Sequence, residues 1–211
     1  MTGADGYDFW LFDLDGTLVD VEWPYIRSVF DAVGDRLDRP FTDAEAASLW
    51  HGYAGHRDPQ LRHLGVDPPT FWRAFEACET PLARAEATRL YDDAAVVAEL
   101  DGPVGLVTHS QPPLLDAVLD RLDVRDWFDV VVSCSDELGW KLDPAPVRRA
   151  MAGLAVDGVH AGVLVGDGPN DVGAAWNAGL DAVHVERHGP ERRRACVLGD
   201  RRIVTLDALR G

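Results

Sequence analysis

Residues 7–19, YDFWLFDLDGTLV, are the stretch from which the fold can be worked out. The first six of them form a short aromatic and aliphatic run, which predicts a buried β-strand. The run stops abruptly at Asp13-Leu14-Asp15-Gly16, where two carboxylates stand two residues apart and the glycine permits a sharp turn. Where a strand tightens into a loop, two carboxylates at this spacing can flank one reacting centre.

Apolar runs of the same kind recur along the chain and alternate with stretches of helical period. The predicted strands after the first are residues 104–108, 130–134, 163–166, 182–185 and 203–205. Asp143 is the predicted N-cap of a helix that begins at Pro144, and Gly179 is the predicted C-cap of another. This alternation predicts an α/β fold, a doubly wound parallel sheet of the Rossmann-like kind with helices on both faces.

Residues 18–89 interrupt the alternation, because they carry helix signals and no strand pattern. Thr42 and Glu45 match a capping box, and Asp67 precedes two prolines at a helix start. We predict a small all-helical cap at 18–89, inserted after the first strand, and an α/β core made of residues 1–17 and 90–211. The core of the cap is predicted to contain the three tryptophans of this stretch, Trp23, Trp50 and Trp72.

Charge and hydropathy exclude several kinds of partner. Asp and Glu total 36 against 20 Lys and Arg, a net charge of -16 that repels nucleic acid and anionic lipid. No apolar run approaches the roughly 20 residues of a membrane-spanning helix, and no basic n-region indicates a secretory signal. We therefore expect a soluble, cytoplasmic protein without nucleic-acid or membrane partners, and leave open whether it is a monomer or a homodimer. The cysteines lack zinc-site spacing and are predicted to be small buried hydrophobes: Cys78, Cys134 and Cys196.

The charged residues are also unusual in kind. The acids are 27 Asp and 9 Glu, and the bases are 19 Arg and one lysine, Lys141. Such an acidic surface of the halophilic type fits a salty cytoplasm in which ions screen self-repulsion. A GC-rich genome drifting towards Asp and Arg explains the composition equally well. A melting temperature that stays constant between low and molar salt would contradict the first hypothesis.

Chemistry-bearing side chains follow the predicted strands where these end. In chain order they are Asp13 and Asp15, then Thr108, His109 and Ser110, then Lys141, then Asp167 and Asp171. The carboxyl ends of parallel strands lie at one edge, so these groups should meet in one crevice. Four carboxylates there need a counter-charge, and all-oxygen ligation favours Mg²⁺. A cation, together with Lys141 and Thr108, would bind the charged oxygens of a phosphoryl group. One carboxylate could then attack the phosphorus atom, and the neighbouring carboxylate could donate and accept protons.

Four motifs in this order resemble those of the haloacid dehalogenase (HAD) superfamily of phosphatases. They are FDLDGTL at 12–18, VTHS at 107–110, KLDP at 141–144 and GDGPND at 166–171. The resemblance covers essentially the whole core and is to phosphoglycolate-phosphatase-like members, whose helical cap follows the first motif. Two residues depart from the pattern: His109 stands where Asn is common, which would alter the polarity or pH dependence of the phosphate site. Leu142 stands where Pro is common and should matter less.

The resemblance implies a role for each matched residue. Asp13 would be the nucleophile that forms an aspartyl phosphate, and Asp15 would protonate the leaving oxygen and then activate water. Thr108 would bind the phosphoryl group and Lys141 would neutralise it, which completes the implied catalytic set. The implied phosphate-binding set is Gly16, Thr17, Thr108, His109 and Lys141. The implied Mg²⁺ ligands are Asp13, Asp15 through its backbone carbonyl, and Asp167, with Asp171 ordering the waters of the ion.

Two features of the sequence narrow the choice among the reactions of the superfamily. Asp15 favours phosphate esters over dehalogenation, because a departing halide needs no proton. The stretch 18–89 contains no lysine, which excludes phosphonate cleavage through a Schiff base. We predict a Mg²⁺-dependent phosphomonoester hydrolase for a small phosphorylated metabolite, phosphoglycolate first and phosphosugars next. Two alternatives stay open: a phosphosugar mutase, which would need a bisphosphate, and a phospho-accepting, receiver-like signalling protein, which would hold a long-lived aspartyl phosphate.

Substrate recognition should come mainly from the cap. Its segment 51–63 is locally basic in an acidic chain and contains His51, Arg57 and Arg62. An arginine fork suits a substrate carboxylate or a second phosphate, so these three residues are candidate specificity residues. The alternative is a solvated helix face paired with surface acids.

Overall fold

A computed structural model describes residues 6–156, 161–189, 192 and 197–210 of the chain. In these ranges the strands are β1 (Phe9–Phe12), β2 (Val19–Val21), β3 (Thr88–Leu90), β4 (Val104–Thr108), β5 (Val130–Ser133), β6 (Gly162–Gly166), β7 (Asp181–Val185) and β8 (Arg201–Ile203). The α-helices are α1 (Trp23–Leu37), α2 (Asp43–His51), α3 (Arg57–His63), α4 (Pro68–Glu76), α5 (Pro81–Glu86), α6 (Pro112–Leu122), α7 (Ala145–Gly153) and α8 (Pro169–Ala178). Short 3-10 helices occupy Ala94–Glu99, Arg125–Trp127 and Leu206–Leu209.

Six of these strands form one sheet in the order β5-β4-β1-β6-β7-β8. Every neighbouring pair in it runs parallel. From β1 the chain builds outward to β4 and β5 on one side and then to β6, β7 and β8 on the other, so the sheet is doubly wound and the predicted fold class is confirmed. The carboxyl ends of β4, β1 and β6 therefore lie side by side, which is where ligands bind in open parallel sheets.

Strand β1 is buried on both faces, which explains its continuous apolar sequence. Phe12 packs in one apolar cluster and Leu11 in another, because successive side chains point to opposite faces. Leu115 of α6 belongs to the first cluster and Val147 of α7 to the second. Helices thus cover both sides of the sheet, and the strand end that carries the first motif is fixed by packing above and below.

The last predicted strand is displaced. The sequence predicts an extended segment at residues 203–205, whereas β8 is Arg201–Ile203. Thr205 instead caps the 3-10 helix that follows, since its hydroxyl accepts the backbone N–H of Asp207 at 3.3 Å. The backbone of Thr205 is extended, as its propensity favours, but the residue lies outside the sheet and serves as the N-cap of the 3-10 helix.

Two predicted helix ends have different outcomes. Helix α7 begins at Ala145, one residue after the predicted start, with Pro144 as its N-cap. Asp143 still satisfies the helix start, because its Oδ1 accepts the Ala145 N–H at 2.8 Å. Gly179 is the C-cap of α8 as predicted, with φ +86° in the left-handed region that glycine adopts without strain.

Helices α1 to α5 all lie within residues 18–89, and both predicted helix starts are confirmed. Thr42 and Glu45 form a reciprocal capping box at α2, and Asp67 accepts the Thr70 N–H at the start of α4. The expectation that this stretch holds no strand is wrong at its two ends, where β2 and β3 pair antiparallel. Each is three residues long, too short for a periodic signal, and they pair because the chain leaves and re-enters the core at the same place. The domain boundaries themselves stay a prediction.

Phenylalanines, rather than the predicted tryptophans, fill the centre of the helical insert. Phe30 and Phe71 are at most 1% exposed and pack 6.1 Å apart between ring centroids. Trp23 is 38% exposed, so its prediction as a core residue is wrong. Trp50 and Trp72 only border this cluster. The indole N–H of Trp72 donates to Asp58 at 3.0 Å. A fully apolar centre would offer this N–H no hydrogen-bond acceptor.

Two further expectations concern membranes and thiols. Among the residues described, no helix combines the length and apolarity needed to cross a membrane. Cys134 is buried as predicted, and burial raises the pKa of its thiol to about 11. Cys78 is only partly buried beside the apolar centre of the insert, and Cys196 lies outside the described residues.

Candidate active site

The ends of three adjacent strands place the candidate groups together. Asp13 follows β1, Thr108 ends β4, and Asp167 follows β6, while Asp171 lies in the first turn of α8. One carboxylate oxygen from each of the three aspartates lies within 4.8 Å of the others. The predicted convergence of these sequence-distant residues at one edge is therefore what the structure shows.

A buried ion-pair cluster forms the centre of the site. The Lys141 ammonium donates to Asp13 Oδ1 and to the Val107 carbonyl at 3.1 Å, and it lies 2.8 Å from Asp171 Oδ1. Lys141, Asp13 and Asp171 are each at most 5% exposed. Burial raises the pKa of the Asp13 carboxyl well above its usual value; Lys141 opposes this rise, and Asp171 and Asp167 add to it. Burial alone would lower the pKa of Lys141, but Asp13 and Asp171 raise it above its ordinary value.

The three aspartates fit a divalent cation. Their oxygens are hard donors, two of the three residues are buried, and one lysine cannot balance three carboxylates. Asp13, Asp167 and Asp171 are therefore the residues that could hold a divalent cation. The Asp15 carbonyl, predicted as a further ligand, follows Asp13 by two residues in the same loop. A bound cation would supply positive charge for the oxygens of a phosphoryl group.

Gly16 is where the loop after β1 comes closest to Asp167. Its φ is +81°, and a Cβ built there would lie 2.8 Å from Asp167 Oδ2. Thr17, the next residue, is fully buried, and its hydroxyl donates to Asp13 Oδ2 at 3.2 Å. The glycine thus lets the loop after β1 approach Asp167, and the threonine orients the Asp13 carboxylate. Both residues were predicted to bind phosphate, and this remains a prediction.

Replacing Gly16 with alanine should weaken metal-dependent activity more than folding. The positive φ alone costs about 1–2 kcal/mol, and the new methyl group must also displace Asp167. Gly179→Ala is a matched control, because Gly179 has φ +86° and a methyl group added there would point into open space. We expect both variants to lose similar stability in chemical denaturation, and only Gly16→Ala to need more Mg²⁺ for half-maximal activity. Equal Mg²⁺ requirements in the two variants would contradict this explanation.

The Asp15 carboxylate has donors on both of its oxygens. Ser110 Oγ donates to Oδ2 at 2.5 Å, and the Arg84 guanidinium donates to Oδ1. The Asp15 side chain is still 33% exposed, and it lines a small cleft of about 40 Å³. A carboxylate fixed in direction and open to a cleft is suited to moving protons for a group bound there.

Thr108 and His109 support the site from β4. Thr108 is fully buried, and its Oγ1 accepts the Ser110 N–H at 3.1 Å. His109 Nε2 accepts the backbone N–H of Lys141 at 3.0 Å, and its ring meets Trp140 edge to face. Burial lowers the pKa of His109 well below its usual value, and the charges of Lys141 and Arg57 act in the same direction. A neutral His109 therefore holds the Lys141 backbone; its predicted contact with phosphate stays a prediction.

Two of the three candidate specificity residues border the cleft. His51 and Arg57 line it together with Trp50, Asp15 and Asp167. Arg57 already donates to the carbonyls of Leu49 and Trp50, at 2.7 and 2.8 Å. Arg62 is not among the lining residues; its side chain is 63% exposed and lies 3.7 Å from Asp58, as the solvated-face alternative expects.

Sequence reasoning misses the two donors to Asp15. The sequence places Ser110 at the end of β4 without assigning it a role, and it does not single out Arg84. An arginine in the sequence PLARAE carries no local signal, because it resembles any exposed helical arginine. Only tertiary packing shows that Arg84 is buried beside the first motif.

The fold and the site together define an α/β enzyme whose chemistry lies at the carboxyl edge of a parallel sheet. Residues 8–179 match the family model of haloacid dehalogenase-like hydrolases, so the chain belongs to this family, and the predicted resemblance is confirmed. It is a phosphatase-type hydrolase acting on a phosphorylated small molecule, as its four motifs predict.

Individual relatives are distant but cover most of the chain. The phosphoglycolate phosphatase of Yersinia pseudotuberculosis is 27% identical over 191 residues, covering 82% of this chain and 78% of that protein. The pyrophosphatase PpaX of Bacillus velezensis is 27% identical over 180 residues, covering 83% and 81%. A crystal structure of a proposed phosphoglycolate phosphatase from Lactobacillus plantarum has a TM-score of 0.75 and 21% identity, covering 97% of this chain and 98% of that chain. This structural likeness shows the shared fold.

Proposed function

We propose that the protein is a Mg²⁺-dependent phosphomonoester hydrolase that works through an aspartyl phosphate on Asp13. The observation that carries the proposal is the buried cluster in which Asp13 touches Lys141 and lies within 4.8 Å of Asp167 and Asp171. A nucleophilic carboxylate, a fixed cation and a carboxylate set for a divalent ion are the parts that phosphoryl transfer needs.

The residues divide the reaction into two steps. In the first, an Asp13 oxygen attacks phosphorus, the P–O ester bond breaks, and Asp15 gives a proton to the leaving oxygen. In the second, Asp15 takes a proton from water, which attacks the aspartyl phosphate and releases phosphate and free Asp13. Lys141 neutralises the nucleophile and the phosphoryl oxygens in both steps, and Thr108 binds the phosphoryl group. Mg²⁺, when bound, supplies the remaining positive charge.

The cleft supports a small substrate. Its volume of about 40 Å³ lies well below the size of pockets for drug-sized ligands, about 300–1,000 Å³, which favours a compact substrate. The lining includes His51 and Arg57, which would favour a leaving group that carries its own anion. Phosphoglycolate is such a compound and is the substrate named for the Yersinia relative, so it is the first candidate, with phosphosugars second. A cytoplasmic location and the absence of nucleic-acid or membrane partners stay predictions.

A metabolite screen tests the proposal. We expect phosphate release from at least one small phosphomonoester with Mg²⁺, and a loss of about 100-fold or more with EDTA that added Mg²⁺ reverses, since a metal at such a site is worth several kcal/mol. Asp167→Asn should raise the Mg²⁺ concentration needed. Asp20→Asn, which changes a cleft residue outside the three-carboxylate group, should not.

Other outcomes of the screen would identify the alternatives. Turnover that requires a bisphosphate would identify a phosphosugar mutase. A long-lived phosphorylated protein without phosphate release would identify a signalling role. Full activity in EDTA would contradict the metal-dependent mechanism.

A further inference from the structure

Arg84 is a buried charge that the proposed reaction does not yet use. Its side chain is 5% exposed, and arginine is almost never buried unless it is paired. It has a carboxylate on each side: Nη2 donates to Asp15 Oδ1, and Nη1 lies 3.6 Å from Glu79 Oε1. Burial raises the pKa of Glu79; the Arg84 charge opposes this rise, and Asp15 adds to it.

The guanidinium is fixed between the core and the helical insert. Its helix, α5, contributes Ala85 to the same apolar cluster as Leu115 of α6, so α5 packs on the core. The guanidinium lies 4.9 Å from the centre of the Trp50 ring, which belongs to α2 and lines the cleft. Glu79 in turn accepts the Tyr25 O–H at 3.2 Å, which extends the network to α1. Packing, stacking and two ion pairs leave Arg84 little freedom.

We propose that Arg84 is a positioning residue that holds Asp15 for its role as the base; this inference rests on the proposed function. With Arg84 on Oδ1 and Ser110 on Oδ2, both oxygens accept hydrogen bonds, so the direction of the carboxylate is fixed from two sides. A carboxylate held in one direction is what the second step needs, in which Asp15 takes a proton from water. In that step the water O–H bond breaks, its oxygen bonds to phosphorus, and the bond from phosphorus to Asp13 breaks.

Steady-state kinetics distinguish a positioning role of Arg84 from a folding defect in its variants. When hydrolysis of the covalent intermediate alone is slowed, kcat and KM fall together and kcat/KM stays constant, because kcat/KM reports only the steps up to formation of the intermediate. p-Nitrophenyl phosphate is the suitable probe, since its leaving group departs without a proton from Asp15. A variant that is merely less well folded loses kcat/KM instead.

We expect Arg84→Met to lower kcat with p-nitrophenyl phosphate about 10- to 100-fold. This loss does not exceed what a general base contributes to the rate, about 10²–10⁴-fold. KM should fall in proportion, and a burst of nitrophenol equal to the enzyme concentration should precede the steady state. Arg84→Lys, which keeps the charge, should recover part of the loss. If Arg84→Met is unstable because Glu79 is left buried without a positive charge beside it, the double variant Arg84→Met with Glu79→Gln removes both charges.

Arg187 supplies a matched control. It is also a buried arginine beside the first motif, 7% exposed, and it pairs with Asp93 and donates to the Thr17 carbonyl at 2.6 Å. Arg187→Ala should give no burst and no fall in KM. Reduced kcat/KM without a burst in the Arg84 variants, or unchanged kcat, would overturn the positioning role. Failure of the proposed function has a different signature, an inactive wild type or an active Asp13→Asn.

Discussion

Asp13→Asn should abolish turnover and leave the protein folded. The asparagine has nearly the same shape: its amide oxygen can still accept from Lys141, while its NH2 group, in the place of Oδ2, can donate to the Thr17 hydroxyl. Its amide cannot attack phosphorus, so the covalent step is lost. Removing the nucleophile of an enzyme with covalent chemistry costs about 10⁴-fold or more in kcat. We expect no phosphate release above background with any ester that the wild type hydrolyses.

The control for this variant is a carboxylate on the protein surface, away from the site. Asp116→Asn changes a surface aspartate on α6, whose side chain is 61% exposed and pairs with Arg125. It should retain the wild-type rate. Circular dichroism and thermal denaturation of both variants should show folded proteins. A rate in Asp13→Asn within tenfold of the wild type, with mass spectrometry excluding reversion to aspartate, would contradict the assigned nucleophile.

The parts of the site that the sequence predicts are those attached to regular strands. Asp13, Thr108 and Asp167 each stand at or directly after the end of an apolar run, and the parallel sheet makes their positions in space a consequence of their positions in the sequence. The lysine is predicted from its motif, since it lies in a loop after β5. Its ammonium contacts Asp13 and Asp171. Because these two carboxylates are buried, they need a positive charge beside them.

What the sequence does not predict depends on how separate elements pack. Arg84 and Glu79 lie in the helical insert, where local sequence says nothing about which face meets the first motif. The strands β2 and β3 form only because two distant three-residue segments meet. Arg62 belongs to the same basic segment as Arg57, but only Arg57 borders the cleft, since α3 exposes Arg62 to solvent. Helix periodicity predicts that a face is buried and does not identify its partner.

Lys141→Met should reduce both activity and stability. The ammonium is the buried cation next to Asp13 and Asp171, and without it three carboxylates face one another. Breaking a buried ion pair by removing one partner costs about 3–5 kcal/mol, and losing a charge that stabilises the transition state costs about 10²–10³-fold in kcat. Urea denaturation in EDTA and steady-state kinetics with Mg²⁺ measure the two effects. Because Lys141 is the chain's only lysine, its absence is also confirmed by the loss of side-chain amine labelling.

Mg²⁺ and pH should each offset the loss of stability, since both relieve the same repulsion. A ligand that binds only the folded state stabilises it, so Mg²⁺ should raise the unfolding free energy of Lys141→Met by more than that of the wild type.

The pKa of Asp13 is already raised in the folded protein, so the folded state binds more protons than the unfolded state between that raised value and about 3.9, the ordinary pKa of Asp. The contribution of Asp13 to stability should therefore increase as pH falls through this interval, and the interval should be wider in the variant, in which Lys141 no longer opposes the rise. Lys141→Arg keeps the charge and should keep most of the stability, but its planar guanidinium does not reproduce the compact ammonium between Asp13 and Val107, so activity should stay low. Equal stability of Lys141→Met and the wild type in EDTA would mean that the lysine does not balance the aspartates, and the electrostatic account of the site would fail with it.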